Sequence, residues 1–189
     1  MITLSRSTLG LACALLTGCG DLFYAEVEVP EVCVTEADAG LEGVPVPGTH
    51  TVSRAFNYDI GSALGTITTE GVDSEARLLT LTLTANRGIS DMDFLDAIQV
   101  YAAAPPDSGL SDLKLVDYQQ PAAAQGARTI SLTAQQDNII PYVTADALKL
   151  NVTFTGQIPQ SSWSVDARGC LYIRGKYKYL SGDGEETSR

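Results

Sequence analysis

Trp163-Ser164-Val165-Asp166-Ala167-Arg168-Gly169-Cys170-Leu171-Tyr172-Ile173-Arg174-Gly175-Lys176-Tyr177-Lys178-Tyr179 is the longest ordered pattern in the chain, and its period is two. Trp163, Val165, Ala167, Gly169, Leu171, Ile173, Gly175, Tyr177 and Tyr179 share one parity, while Ser164, Asp166, Arg168, Cys170, Tyr172, Arg174, Lys176 and Lys178 share the other. Successive side chains of an extended strand point to opposite faces, so the spacing predicts a long strand with one apolar and one basic face. Gly169 and Gly175 fall on the apolar side, where a bulge or the close approach of another sheet favours a residue without a side chain. Trp163, Tyr177 and Tyr179 share that side and read as core. Tyr172 alone lies with the basic residues.

The same period recurs upstream. Phe56, Tyr58 and Ile60 alternate with Asn57 and Asp59; Leu79, Leu81 and Leu83 with Thr80, Thr82 and Thr84; Ile98 and Val100 with Gln99 and Tyr101. Leu113-Lys114-Leu115, Ile130-Ser131-Leu132 and Leu148 to Phe154 repeat it, and Gly156, Pro159 and Ser161-Ser162 punctuate the last turn. Leu22 to Val34 alternates acids with valines until Pro30, which cannot donate to a ladder and so marks an edge strand or a bulge. Residues 35–50 carry Gly40, Gly43, Pro45, Pro47 and Gly48 without a sustained period, which predicts a loop ending at the one histidine, His50. The best helical candidate, Ser90 to Ala97, is one or two turns long, capped by Ser90 with Asp91 and Asp93 at its positive end. About eight strands without a βαβ rhythm argue for an all-β fold, an antiparallel β-sandwich of immunoglobulin-like or jelly-roll type, with a closed barrel as the next alternative. The cysteine-tryptophan-cysteine arrangement of immunoglobulin domains is not matched, because Trp163 lies just before Cys170 and the other cysteines are far upstream. One domain over residues 19–180 and a disordered, Gly- and Glu-rich tail over 181–189 complete the expected organisation.

At the N-terminus Arg6 precedes the apolar run Leu9-Gly10-Leu11-Ala12-Cys13-Ala14-Leu15-Leu16 and the small residues Thr17-Gly18, the layout of a secretory leader. A transmembrane helix needs about 20 predominantly apolar residues, and Gly20-Asp21 ends this run too early. Leu16-Thr17-Gly18-Cys19 resembles the lipobox of bacterial lipoproteins, a resemblance confined to residues 1–20. It implies removal of residues 1–18 as a signal peptide and acylation of Cys19, palmitate included, as the mature N-terminus. The implied place is the cell envelope, lipid-anchored to a membrane, with Gly20 leaving export to the outer membrane open. Cys13 then departs with the leader and Cys19 carries lipid, so Cys33 and Cys170 remain. In an oxidising compartment they read as a disulfide, with unpaired or metal-binding thiols as the alternative.

These cysteines suggest how the domain closes. The acidic first strand pairs with the basic last one, bringing Glu26 and Glu28 near Arg174, Lys176 and Lys178. Antiparallel counting from Cys33 and Cys170 sets Val27 opposite Lys176, which conflicts with the parity of both strands. One extra residue resolves the conflict, and Pro30 is the place for the bulge. Opposite charges across strands contribute about 0.2–1 kcal/mol per pair, so they set register more than stability.

Twelve basic residues face 23 acidic ones, a net charge of −11, which repels nucleic acid and argues against it as a partner. There is no Gly-x-Ser-x-Gly elbow, His-Glu-x-x-His, Walker loop or dinucleotide fingerprint, and a single histidine gives a catalytic triad little material. The chain is therefore expected not to be an enzyme. Asp91, Asp93 and Asp96 form the best metal constellation, of the hard-oxygen kind calcium takes, although the glycine turn and terminal glutamate of a calcium loop are missing. No other cofactor is expected. Asn151-Val152-Thr153 matches a glycosylation sequon and reads as accidental within a strand. The expected function is a non-catalytic, lipid-anchored envelope protein, structural or binding another envelope component, protein or glycan. The alternative is a ligand-binding module for glycan, lipid or calcium, for which the late aromatics Trp163, Tyr172, Tyr177 and Tyr179 are the binding candidates.

Overall fold

The computed structural model describes residues 22–60, 74–121, 126–144 and 147–180. The leader expected over 1–18, Cys19, and the tail expected to be disordered over 181–189 lie outside the described residues. The strands are β1 (Leu22–Leu41), β2 (His50–Asp59), β3 (Ser74–Ala85), β4 (Leu95–Ala102), β5 (Leu113–Gln119), β6 (Thr129–Thr133), β7 (Val143–Thr144), β8 (Ala147–Gly156) and β9 (Trp163–Leu180), with a 3-10 turn at Ile140–Tyr142. They form two antiparallel sheets, a four-stranded β1-β9-β3-β6 and a five-stranded β2-β8-β4-β5 with β7 added to β8. The pairs β1–β9, β2–β8, β3–β6 and β4–β5 are nested, as if one long ribbon had been folded back at residues 103–112 and then rolled up. Of the sandwich topologies compatible with the sequence, this is the jelly roll.

Alternation explains the core. Leu148, Leu150, Val152 and Phe154 of β8, Val165, Ala167, Leu171 and Ile173 of β9, Ile98 and Val100 of β4, and Phe56 and Tyr58 of β2 are all buried between the sheets. Each large aliphatic or aromatic group among them contributes about 1.5–3 kcal/mol by leaving water. Trp163 belongs to this core rather than to a binding face. Its ring meets Phe94 and Phe154 edge-on at centroid distances of 5.2 and 5.5 Å. Gly169 leaves room for the Tyr58 ring, which a Cβ at that position would touch at 3.4 Å. The side chains of Tyr177 and Tyr179 lie outside what the structure describes.

The first and last strands pair in the register expected from the cysteines. Cys33 stands opposite Cys170 and is bonded to it, Glu28 opposite Arg174 and Glu26 opposite Lys176. Between Val29 and Val32 the ladder shifts, with Pro30 and Glu31 together facing Tyr172, which is the bulge that the parity demanded. Arg174 reaches Glu26 at 3.5 Å, but its nearer partner is Glu75 on β3, at 2.9 Å.

Three local expectations are corrected. The loop over 35–50 is only residues 42–49, because β1 continues to Leu41. Ala37 and Asp38 form a second bulge opposite Asp166, after which Ala39 and Leu41 return to the core. The Asp38 backbone is left-handed there (φ 54°), a conformation aspartate tolerates, and its N–H donates to the Asp166 carboxylate at 2.8 Å. In β3 a further extra residue, Leu79, lies between Leu78 and Thr80, so Ala76 and Leu78 rather than Leu79 join Leu81 and Leu83 inside. Ser90 to Ala97 is not helical. A single turn at Asp93-Phe94, closed by the Leu95 N–H on the Met92 carbonyl at 3.1 Å, runs straight into β4, where Leu95 pairs with Gly156.

The bridge spans 137 positions of sequence, for which chain entropy gives a ceiling of about 5 kcal/mol. The Cys33→Ser/Cys170→Ser variant, and the parent under reductant, are expected to lose several kcal/mol in urea unfolding. A change below about 1 kcal/mol would show that the loop is already closed in the unfolded chain.

Candidate functional site

The half-buried ionic group that joins the two sheets sits at their β1/β2 side. Glu36 of β1 accepts from Arg54 Nη2 of β2 at 2.9 Å and from the Asn57 backbone N–H at 3.2 Å. Arg54 Nη1 donates to the Gly40 carbonyl at 2.7 Å, so one guanidinium ties β2 to two places on β1. Tyr58 lies inside this latch, its hydroxyl 3.5 Å from the Ala167 carbonyl. Burial, and then the Glu36 carboxylate beside it, push the Tyr58 hydroxyl well above the ordinary tyrosine range. The arrangement fastens two sheet edges that share no ladder.

A second cluster, Asp38, Asn86, Arg87 and Asp166, pins the Ala37-Asp38 bulge to the end of β3. Arg87 forks onto the Asp38 carboxylate, with Nε at 2.8 Å, and Asn86 Nδ2 donates to Asp166 at 2.9 Å. Neither cluster is legible in the sequence, since its members are far apart and on different strands. No period relates Glu36 to Arg54, because the 42–49 loop lies between them.

The aspartates proposed for calcium are engaged elsewhere. Asp91 accepts from the Ser90 hydroxyl at 2.7 Å and from the Asp93 N–H at 3.2 Å, which hold its exposed carboxyl below the usual carboxylate range. Both Asp93 oxygens take the Gly126 N–H, at 2.6 and 2.8 Å, so this side chain clamps the backbone at Gly126. Asp96 is the exposed extra residue in the β4–β8 pairing. Their oxygens are not gathered within 4.8 Å of one another; the group that meets that limit among the described residues is Glu31, Cys33 and Cys170, two of which are joined in the disulfide. His50 Nε2 lies 2.8 Å from the Val46 carbonyl and fastens the 42–49 loop. Tyr172 is half-buried on the outer face beside Arg174, as its parity required.

Among the described residues two further surfaces stand out. The outer face of the five-stranded sheet is polar, with Ser53, Thr153, Gln99 and Asp117 in one row and Asn151, Tyr101 and Lys114 in another. At the opposite side from the Glu36–Arg54 latch, a depression of about 370 Å³ separates edge strands β5 and β6 and is lined by Leu115, Asp117, Tyr118, Ser131, Leu132 and Thr133 among others.

These features define an antiparallel jelly-roll protein with a disulfide-closed outer ribbon. No family model matches the sequence, and no curated protein matches it. Among solved structures, one titled turnip yellow mosaic virus aligns with 95% of this chain and 94% of its own at 13% identity, with a TM-score of 0.34, too low for any argument to be drawn from it.

Tyr58 makes stability pH-dependent on the alkaline side. Its folded pKa is raised, so its contribution is full below the unfolded value of about 10 and is lost as pH climbs through the folded one. A phenolate titration of the eight tyrosines should show one that ionises only as the protein unfolds, and Tyr58→Phe should remove that phase. Complete ionisation ahead of unfolding would contradict the burial argument. Asp93→Ala is expected to cost about 1 kcal/mol through loss of the Gly126 clamp, by the same amount with and without millimolar calcium, and calorimetric addition of calcium should give no heat.

Proposed function

We propose that the protein is a non-catalytic, lipid-anchored component of a bacterial cell envelope, structural or binding another envelope component. The observation that carries the reading is the Cys33–Cys170 disulfide, because such bonds persist in oxidising compartments and are rare in the cytosol. It supports the export that Leu16-Thr17-Gly18-Cys19 implies, and it leaves Cys19 as the unpaired thiol of the processed chain. β1 begins at Leu22, so a lipid on Cys19 would sit next to the first rung of the sheet. One acyl chain binds membranes only marginally; the several chains of a lipoprotein N-terminus hold stably.

A second reading, a ligand-binding module for a glycan, draws on the polar outer face of the five-stranded sheet. There Tyr101 lies between Asn151 and Lys114, and Gln99 between Thr153 and Asp117, a row of donors and acceptors with one aromatic ring. The aromatics first considered for that role serve it less well, since Trp163 is core.

Metabolic labelling with palmitate in a bacterial host tests the anchor. The parent chain should take label, lose residues 1–18 and sediment with membranes. Cys19→Ala should take none and keep its leader. Recovery of an unmodified parent chain still carrying its leader would overturn the proposal.

A further inference from the structure

The four edge strands of the sandwich are not equally protected. β1 carries Glu26, Glu28, Glu31, Glu36 and the bulge at Pro30; β2 carries Arg54 and Asp59; β5 carries Lys114 and Asp117. β6, Thr129-Ile130-Ser131-Leu132-Thr133, has no charged side chain, no proline and no bulge in its pairing with β3. Charges, prolines and bulges are the devices by which edges avoid adding a further strand, so β6 is the edge left competent to do so.

Its hydrogen-bonding parity shows which groups are available. The Ala134 N–H donates to the Leu79 carbonyl at 3.1 Å, and the Ala85 N–H to the Arg128 carbonyl at 2.8 Å. In an antiparallel ladder hydrogen-bonded pairs alternate with non-bonded ones, so the backbone groups of Ile130 and Leu132 turn towards β3. Those of Thr129, Ser131 and Thr133 turn outward. Between β5 and β6 the Gln135 N–H reaches the Leu115 carbonyl at 2.8 Å, and beyond that contact the depression leaves the outer side of β6 uncovered among the described residues.

We infer that β6 pairs with β6 of a second copy of this chain, antiparallel about a two-fold axis through Ser131. The three outward residues are spaced symmetrically about Ser131, so Ser131 meets Ser131 of the partner subunit and Thr129 meets Thr133 of the partner subunit. Every outward donor then faces an outward acceptor, as an isologous contact requires. Ile130 falls opposite Leu132 of the partner subunit on the inner face, and the Thr and Ser side chains continue the outer one. The two four-stranded sheets become one of eight strands. A second copy is favoured over a charged peptide because β6 itself carries no charged side chain to complement one, and the carboxylate across the depression, Asp117, is already paired with Lys114. Each copy carries a net charge of −11, and β6 is the edge strand without a charged side chain of its own, so it is where two such chains meet with least local repulsion. Salt, which shortens the screening length to about 8 Å at physiological strength, therefore promotes the association. The inference does not depend on acylation.

Sedimentation equilibrium of the full chain, in density-matched detergent and from micromolar to near-millimolar concentration, tests it. The mass should rise towards twice that of one chain, and more so with added salt. Ser131→Pro removes one outward donor per copy and no β3 hydrogen bond, and should weaken association about ten-fold or more. Ser131→Lys sets like charges at the axis and should weaken it as well, most at low salt; should the proline variant misfold, the lysine variant carries the test. Ser131→Ala should associate like the parent. A single-chain mass throughout, a dimer that both variants leave intact, or one that Ser131→Ala weakens as much as Ser131→Pro, would overturn the inference.

Discussion

The pairing of the first strand with the last is the contact on which the rest of the roll depends. In a nested ribbon each inner pair can form only where the outer pair permits, and β1–β9 is the outermost and the least local. Its register must be fixed closely, since a slip of one residue would send Val29, Val32 and Val34 to water and the glutamates inward. Three separate features set it: the charge complement of Glu26 and Glu28 to the basic face of β9, the Cys33–Cys170 bond, and the extra residue at Pro30-Glu31 that brings the other two into phase. β9 itself keeps its alternation unbroken from Val165 to Gly175, while its neighbours on either side adjust. β1 bulges opposite Tyr172, and β3 inserts Leu79 between the residues facing Leu171 and Cys170. Extra residues on both flanks of a straight central strand increase local twist, which a sheet needs to wrap over its partner.

Much of this was legible because a half-buried strand writes its period into the sequence. The β9 and β8 alternations survive intact in the structure, and parity arithmetic from two cysteines was enough to locate the Pro30 bulge. What the sequence hid lies where the period breaks without a marker. Leu79 looks like the first of three core leucines, yet the bulge moves Leu78 inward in its place. Ala37-Asp38 resets β1 in the same way, so a strand that continues to Leu41 reads as a loop rich in glycine and proline. The aspartates at 91, 93 and 96 resembled a ligand set because sequence proximity was the only information; in space two are used to hold backbone and the third stands on a strand. Glu36 with Arg54, and Glu75 with Arg174, are pairings between strands that no local pattern relates.

The two open sides of the sandwich are managed differently. Where β1 faces β2, Glu36, Arg54 and the Asn57 amide bridge the edges, and the desolvated Tyr58 beneath them favours a latch that stays closed. Partly buried ion pairs are costly to desolvate, so the latch contributes less to net stability than to holding the two sheets in one relative position. Where β5 faces β6, the backbone hydrogen bond from Gln135 to Leu115 does the joining among the described residues, and a depression lies beside it. The inferred β6 contact therefore lies at the open side, away from the strand that leads to the N-terminus.

That separation has a mechanical consequence for an anchored protein. Under the proposed acylation of Cys19, force on the lipid reaches the fold through the start of β1, an edge strand that could otherwise peel from the sheet one rung at a time. The bond at Cys33 stops the peeling. Only the chain from Cys19 to Cys33 can be drawn out, roughly 50 Å at full extension, and beyond that point the load passes directly to Cys170. Cys170 lies in β9, which is held by ladders on both sides, so the pull is borne by the centre of the sheet rather than by its margin. β6 is reached only through the further ladder of β3, and the other sheet, which shares no ladder with this one, only through the core between them, so both keep their geometry while the tether moves.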